Sequence, residues 1–187
     1  MLLYRIIFVF NTYLMLFPMF LINKGITLES LFMLLKVDVP SLACKIISYL
    51  IYIAIPILTT YLCCKSFKKL DKADIKKDDI AHKESVGSSF LINFFACIFI
   101  ALSVNNIFAL IIIYLLITCL GVFAETYLNN PICYLFGYKY YFVTVKNVKI
   151  IVMSKKDVNP WNDVNPWNDV EFKKLARINN FTYIDIE

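Results

Sequence analysis

An α-helical integral membrane protein, four spans carrying a small β-hairpin-containing tail, is the fold class this sequence predicts, on three observations. Hydrophobic residues make up 60% of the chain and charged residues 18%, against roughly half and a quarter in soluble domains. The apolar residues are gathered into long runs, where a soluble core would spread them along amphipathic elements. Sixteen of the 19 Lys and Arg residues fall at the start of the first run and in alternate segments after it.

The first run, Leu2 to Ile22, is interrupted by Arg5, Asn11 and Thr12. It is too long for the apolar part of a signal peptide, and Asn23-Lys24-Gly25 is no small-residue cleavage site. A retained helix over about 4–22 is predicted, bent towards its far end by Pro18. The second run, about 46–64, is bracketed by Lys45 and Lys65. At about 1.5 Å per residue it matches a hydrocarbon core of about 30 Å, with Pro56 kinking its middle. From Phe90 to Ala124 the chain is again apolar. One straight helix of that length would run about 50 Å. Asn105–Asn106 is therefore read as a tight hairpin between helices over about 88–104 and 107–125, with a re-entrant segment as the alternative. The helical domain is then 1–125 and the tail 126–187.

Lys and Arg accumulate on the cytoplasmic face of membrane proteins. Arg5, the 65–83 loop and the tail carry the sixteen, and the opposite side holds only Lys24, Lys36 and Lys45. Both termini are predicted to be cytoplasmic, in a bacterial inner membrane. The outer loop between helices one and two contains a short amphipathic helix, capped by Thr27, with Leu28, Leu31, Phe32 and Leu35 on one face. The inner loop, 65–85, mixes lysines with Asp71, Asp74, Asp78, Asp79 and Glu84. It reads as a solvated helical extension or a linker.

In the tail, Asn130 to Gly137 reads as an exit turn. Arg5, Tyr138, Lys139, Tyr140 and Tyr141 are candidate anchors at the membrane interface. β-branched and aromatic runs joined at Lys146–Asn147 predict a hairpin over about 138–153, with Phe181 to Ile186 as a third strand. The hexapeptide Asp-Val-Asn-Pro-Trp-Asn occurs twice within 157–170. Its turns project Trp161 and Trp167, read either as a short duplication tolerated in a surface loop or as candidate docking residues for a partner.

Composition excludes several chemistries. Six cysteines form no C-x-x-C, and His82 stands as the single histidine, so no zinc set and no disulfide framework are implied. No nucleophile elbow or glycine-rich phosphate loop is present. Neither enzyme activity, nor a cofactor, nor direct nucleic-acid binding is expected. The spans instead carry uncharged polar residues, Asn11, Thr12, Thr59, Thr60, Asn93 and Thr118, at similar depth near the inner boundary. These form a candidate intramembrane polar layer that hydrogen-bonds helices together. No deep ionisable residue suggests a transporter.

Four spans with both ends inside, and the stretch Asn130-Pro131 to Leu135-Phe-Gly-Tyr-Lys-Tyr140 leading into a hairpin, resemble KwaA, the membrane component of the Kiwa anti-phage system. The resemblance implies a homo-oligomer, a tetramer, that senses phage attack at the envelope and works with a cytosolic KwaB-like effector. A small pore-forming or bacteriocin-immunity membrane protein acting without a soluble partner is the competing reading.

Overall fold

The computed structural model describes residues 2–36, 40–67, 70, 72–73, 80–86, 89–124, 129–156 and 175–186. Helices dominate the first two thirds: α1 (Leu2–Tyr13), α2 (Leu16–Asn23), α3 (Glu29–Leu34), α4 (Ser41–Ser66), α5 (Ser89–Ser103) and α6 (Ile107–Phe123). Among the described residues six strands form one sheet: β1 (Lys72–Ala73), β2 (Ile80–Ser85), β3 (Lys139–Val145), β4 (Val148–Ser154), β5 (Leu175–Arg177) and β6 (Thr182–Asp185).

The first apolar run divides in two. Pro18 has no N–H to offer the carbonyl of Leu14, four residues back, and its ring crowds that carbonyl. The helix opens there, and the Phe17 N–H takes the Leu14 carbonyl at 3.3 Å. The distortion thus lies a turn before the proline. Pro56 leaves α4 unbroken. Together α1 and α2 (Leu2–Asn23), and separately α4, are long and apolar enough to cross a membrane; α5 and α6 are shorter apolar helices.

These helices alternate in direction. At one end, the Arg5 guanidinium donates to the Val122 carbonyl, which joins the start of α1 to the end of α6. At the other, Lys24 Nζ meets Asn105 Oδ1 at 2.8 Å and Asn23 Nδ2 donates to the Leu102 carbonyl at 3.1 Å. Asn106 caps α6 through its side chain, accepting from the Phe108 N–H, the usual role of Asn before a first helical turn. Leu16 and Phe20 of α2 pack with Ala101, Leu110 and Tyr114 near that far end.

Gly121 sets how closely α1 approaches α6. A Cβ there would stand 2.8 Å from Val9 Cγ1 and 3.5 Å from the Tyr13 ring. Valine at position 9 is stiff at χ1 and buried, so it cannot swing aside. Gly121→Val is expected to destabilise the bundle by roughly 1–3 kcal/mol, read as a lowered thermal midpoint in detergent. An unchanged midpoint would contradict this close contact.

The 65–85 loop departs from its sequence reading. Helix α4 runs only to Ser66, and the described loop residues after Phe67 are not helical; they contribute β1 and β2, which are the two outer strands of the sheet. Strand order is β1-β5-β6-β4-β3-β2. All neighbours are antiparallel except β4 and β6. Lysine-rich, short or bulged strands suit edges because they discourage further pairing, and β2 carries a register shift between Ile80 and His82. The β3–β4 turn is two residues long, with Lys146 and Asn147 both at positive φ, as a type I′ hairpin demands.

Successive residues of a strand face opposite ways, and here both faces are covered. Tyr140, Ile151, Met153, Ala176 and Ile184 pack on Phe8, Val9, Cys63, Cys64 and Phe67 at the helix ends. Tyr141, Val143, Ile150, Val152 and Leu175 form a second cluster. Because β2 precedes α5 and β3 follows α6, their pairing brings both ends of the α5–α6 hairpin back to the sheet.

Candidate functional site

The joint between the helix ends and the sheet contains a hydrogen-bond chain built from four separate elements. Asn11, on α1, is buried and donates through Nδ2 to Thr60 Oγ1 at 2.6 Å. Its Oδ1 accepts from Thr59 Oγ1 at 2.7 Å. Thr60 also donates to the Pro56 carbonyl at 2.7 Å. From the far side, Asn130 Nδ2 reaches Thr60 Oγ1 at 3.4 Å.

Asn130 is held by its own turn. Its Oδ1 accepts from the Ile132 N–H at 3.0 Å, capping the 3₁₀ segment Pro131–Phe136. Proline directly after the cap fits because it lacks an N–H to satisfy. Gly137 closes the segment at φ 79°, a left-handed conformation that glycine adopts without a Cβ clash. The chain then enters β3, where the Tyr140 hydroxyl turns back. It accepts from the Asn130 N–H at 2.8 Å and donates to the Asn130 carbonyl at 2.9 Å. Burial pushes the Tyr140 phenol well above its usual pKa, so it stays a neutral donor. The result is an uninterrupted path Asn11–Thr60–Asn130–Tyr140 from within α1 to the sheet.

Beside this path, Cys64 and Cys133 bring their sulfurs to 3.6 Å. The contact with Cys64, reinforced by burial, raises the Cys133 thiol well above its ordinary value, which suits a packing thiol rather than a nucleophile. Among the described residues no three His, Cys, Asp or Glu side chains are grouped to hold a metal ion.

The polar layer read from the sequence is thus gathered in part. Asn11, Thr59 and Thr60 meet. Thr12 bonds back to the Phe8 carbonyl at 2.8 Å, within its own helix. Thr118 is buried beside Tyr114 on its own helix and does not join this cluster. The Asn93 side chain lies outside the described residues, as do Trp161, Trp167 and their repeat.

The tyrosines assigned to an interfacial belt sit elsewhere. Tyr138, Tyr140 and Tyr141 are 8%, 1% and 3% exposed, and so are core residues of the sheet. Strand alternation sends Tyr140 and Tyr141 to opposite faces, and each face is covered. Arg5 is half-buried against α6. Sequence reasoning named Tyr140 only as an interfacial anchor and did not single out Asn130 as a site residue. The Asn-Pro pair flags a cap, but nothing local shows that its amide reaches Thr60, 70 residues away.

Asn11→Ala removes two interhelical bonds while Thr59 and Thr60 keep the carbonyls of Ile55 and Pro56. Side-chain hydrogen bonds contribute about 0.5–1.5 kcal/mol each, so a loss of roughly 1–3 kcal/mol is expected in thermal unfolding. No loss would mean that the α1–α4 contact rests on apolar packing alone.

Comparison with curated proteins and with solved structures found no match. The model of one protein family, described as anti-phage protein KwaA, matches residues 4–184. With nearly its whole length covered by that match, the chain belongs to the KwaA family of anti-phage proteins.

Proposed function

We propose that this anti-phage protein is a four-span subunit of the bacterial inner membrane that senses an envelope event and relays it to a cytosolic effector. The observation that carries the reading is the hydrogen-bonded path from Asn11 through Thr60 and Asn130 to Tyr140, which couples the helices to the sheet. Loop 65–85 and the tail share that sheet, which gives an effector one docking platform.

Surface chemistry supports the four spans. The most apolar windows of Leu2–Asn23 and Ser41–Ser66 are only 33% and 28% buried, whereas a soluble core helix is covered on most sides. The shorter helices expose large apolar side chains as well, among them Ile92, Phe95 and Phe99 on α5 and Phe108, Ile112 and Leu116 on α6. Soluble monomers rarely present apolar patches beyond a few hundred Å². The alternating helix directions and the basic sheet end support cytoplasmic termini. Exposed helix faces also leave room for self-association, and the resemblance to KwaA favours a tetramer. The reading involves no catalysis and no cofactor.

Co-purification in mild detergent with a co-expressed KwaB-family protein tests it. The full chain is expected to retain the soluble partner in stoichiometric amount and to protect cells in a plaque assay. Asn130→Ala, which cuts the path at its middle, is expected to reduce protection while membrane insertion persists. Ion conductance in a planar bilayer, with no soluble protein retained, would replace this reading with the pore-forming one. Membership of an anti-phage family does not favour that alternative.

A further inference from the structure

We propose that the cavity between the end of α4 and the Gly137 turn binds the phosphate headgroup of an anionic phospholipid. The inference rests on the four-span reading. The cavity has a volume of 180 Å³ and is lined by Tyr61, Cys64, Lys65, Phe136, Tyr138 and Lys155. That is well below the roughly 300–1,000 Å³ of small-molecule and cofactor sites, and suits a compact headgroup.

Its chemistry is that of an anion receptor with an aromatic wall. Lys65 closes α4 and Lys155 directly follows β4, so elements distant in sequence bring two ammonium groups to one opening. Lys155 Nζ lies over the Tyr138 ring, 4.8 Å from its centroid, which steadies a long side chain. The rings of Tyr61 and Phe136 pack at 5.5 Å and form the opposite wall. Among the described residues, neither lysine is paired with a carboxylate. Asp185 lies near Tyr138, but it is buried and already taken by Ser154 and Lys156. An anion seated where two cationic side chains line one cavity gains Coulomb energy from both.

The surroundings favour a lipid as the source of the anion. Tyr61 is 47% exposed, and Leu58, Leu62 and Leu135 beside it are more exposed still. Acyl chains can run along this face of α4 while the phosphate sits between the lysines. Basic pockets at the cytoplasmic ends of spans recognise lipid headgroups in this way.

Native mass spectrometry of the full-length protein, titrated with phosphatidylglycerol, phosphatidylcholine or inorganic phosphate, tests the site. One phosphatidylglycerol per chain is expected to bind at least about tenfold more tightly than phosphatidylcholine. The preference should disappear in the double variant Lys65→Ala/Lys155→Ala and survive in Lys45→Ala, which alters the opposite end of the same helix. Equal binding of the two lipids, or an unaltered preference in the double variant, overturns the site. Displacement of the lipid by inorganic phosphate at similar concentration overturns the lipid assignment in favour of a soluble anion. Carbonate extraction of membranes separates the two levels of inference. A protein that stays in the membrane but shows no preference loses only the lipid site, whereas one released by carbonate loses the spans as well.

Discussion

Tyr140→Ala will destabilise the junction of helices and sheet by roughly 3–5 kcal/mol, the range for deleting a large buried aromatic side chain. The ring is 1% exposed, packs at 5.5 Å on Tyr134 and fills the cluster that Phe8, Cys64 and Cys133 share with the sheet. Its hydroxyl satisfies both backbone groups of Asn130. Tyr140→Phe keeps the ring and leaves the Asn130 N–H buried without that acceptor, while the Asn130 carbonyl keeps the Cys133 N–H at 3.0 Å; the cost is about 1–3 kcal/mol. Thermal melting in detergent should rank wild type above Tyr140→Phe and Tyr140→Ala lowest. If the phenylalanine variant melts with the wild type, the hydroxyl contributes nothing and the path to the sheet loses its last link.

Ile151→Asp is the harsher change for the sheet and should spare the helices. Ile151 is 1% exposed on β4, paired with Phe142 on one side and Thr182 on the other, and faces the helix ends. A carboxylate there must be desolvated or take up a proton, and the buried aliphatic contact is lost as well. A penalty of at least about 3–5 kcal/mol is expected. The far end of the bundle has its own apolar cluster around Leu16, Leu110 and Tyr114. Limited trypsin digestion should therefore cut after Lys83 and Lys149 in the variant and not in the wild type, while the helical fragments stay protected. Resistance equal to the wild type, or loss of the helices together with the sheet, would contradict two separately stabilised regions.

The helices were legible because uninterrupted apolar residues announce themselves over a window of a single element. So did the β3–β4 hairpin, whose β-branched and aromatic runs flank an obvious Lys-Asn turn. β2 was not legible. Its sequence, Ile-Ala-His-Lys-Glu-Ser, carries the charges of an edge strand, and these look the same as those of a solvated linker until β3 is known to lie beside it. Asn11 and Thr60 could be placed at one depth by counting turns, and they do meet. Asn130 and Tyr140 complete the path through contacts across a crossover that no local window spans. Tyr138 to Tyr141 misled for a related reason. Aromatic residues next to a membrane-length run suggest a headgroup belt, yet strand pairing places these rings inside protein.

The provenance of the sheet's two borders has a consequence for biogenesis. β2 hydrogen-bonds to β3 and β1 to β5, so a segment synthesised before α5 finds its partners only after the C-terminal third has left the ribosome. Contacts of such long sequence separation form late, and a chain emerging N-terminus first must complete its hydrophobic helices beforehand. The nascent 65–85 stretch therefore waits with its backbone unmet, and its dense charge keeps it soluble during that interval. Assembly of the sheet becomes a checkpoint: a product truncated before β3 would carry its helices yet lack a finished sheet.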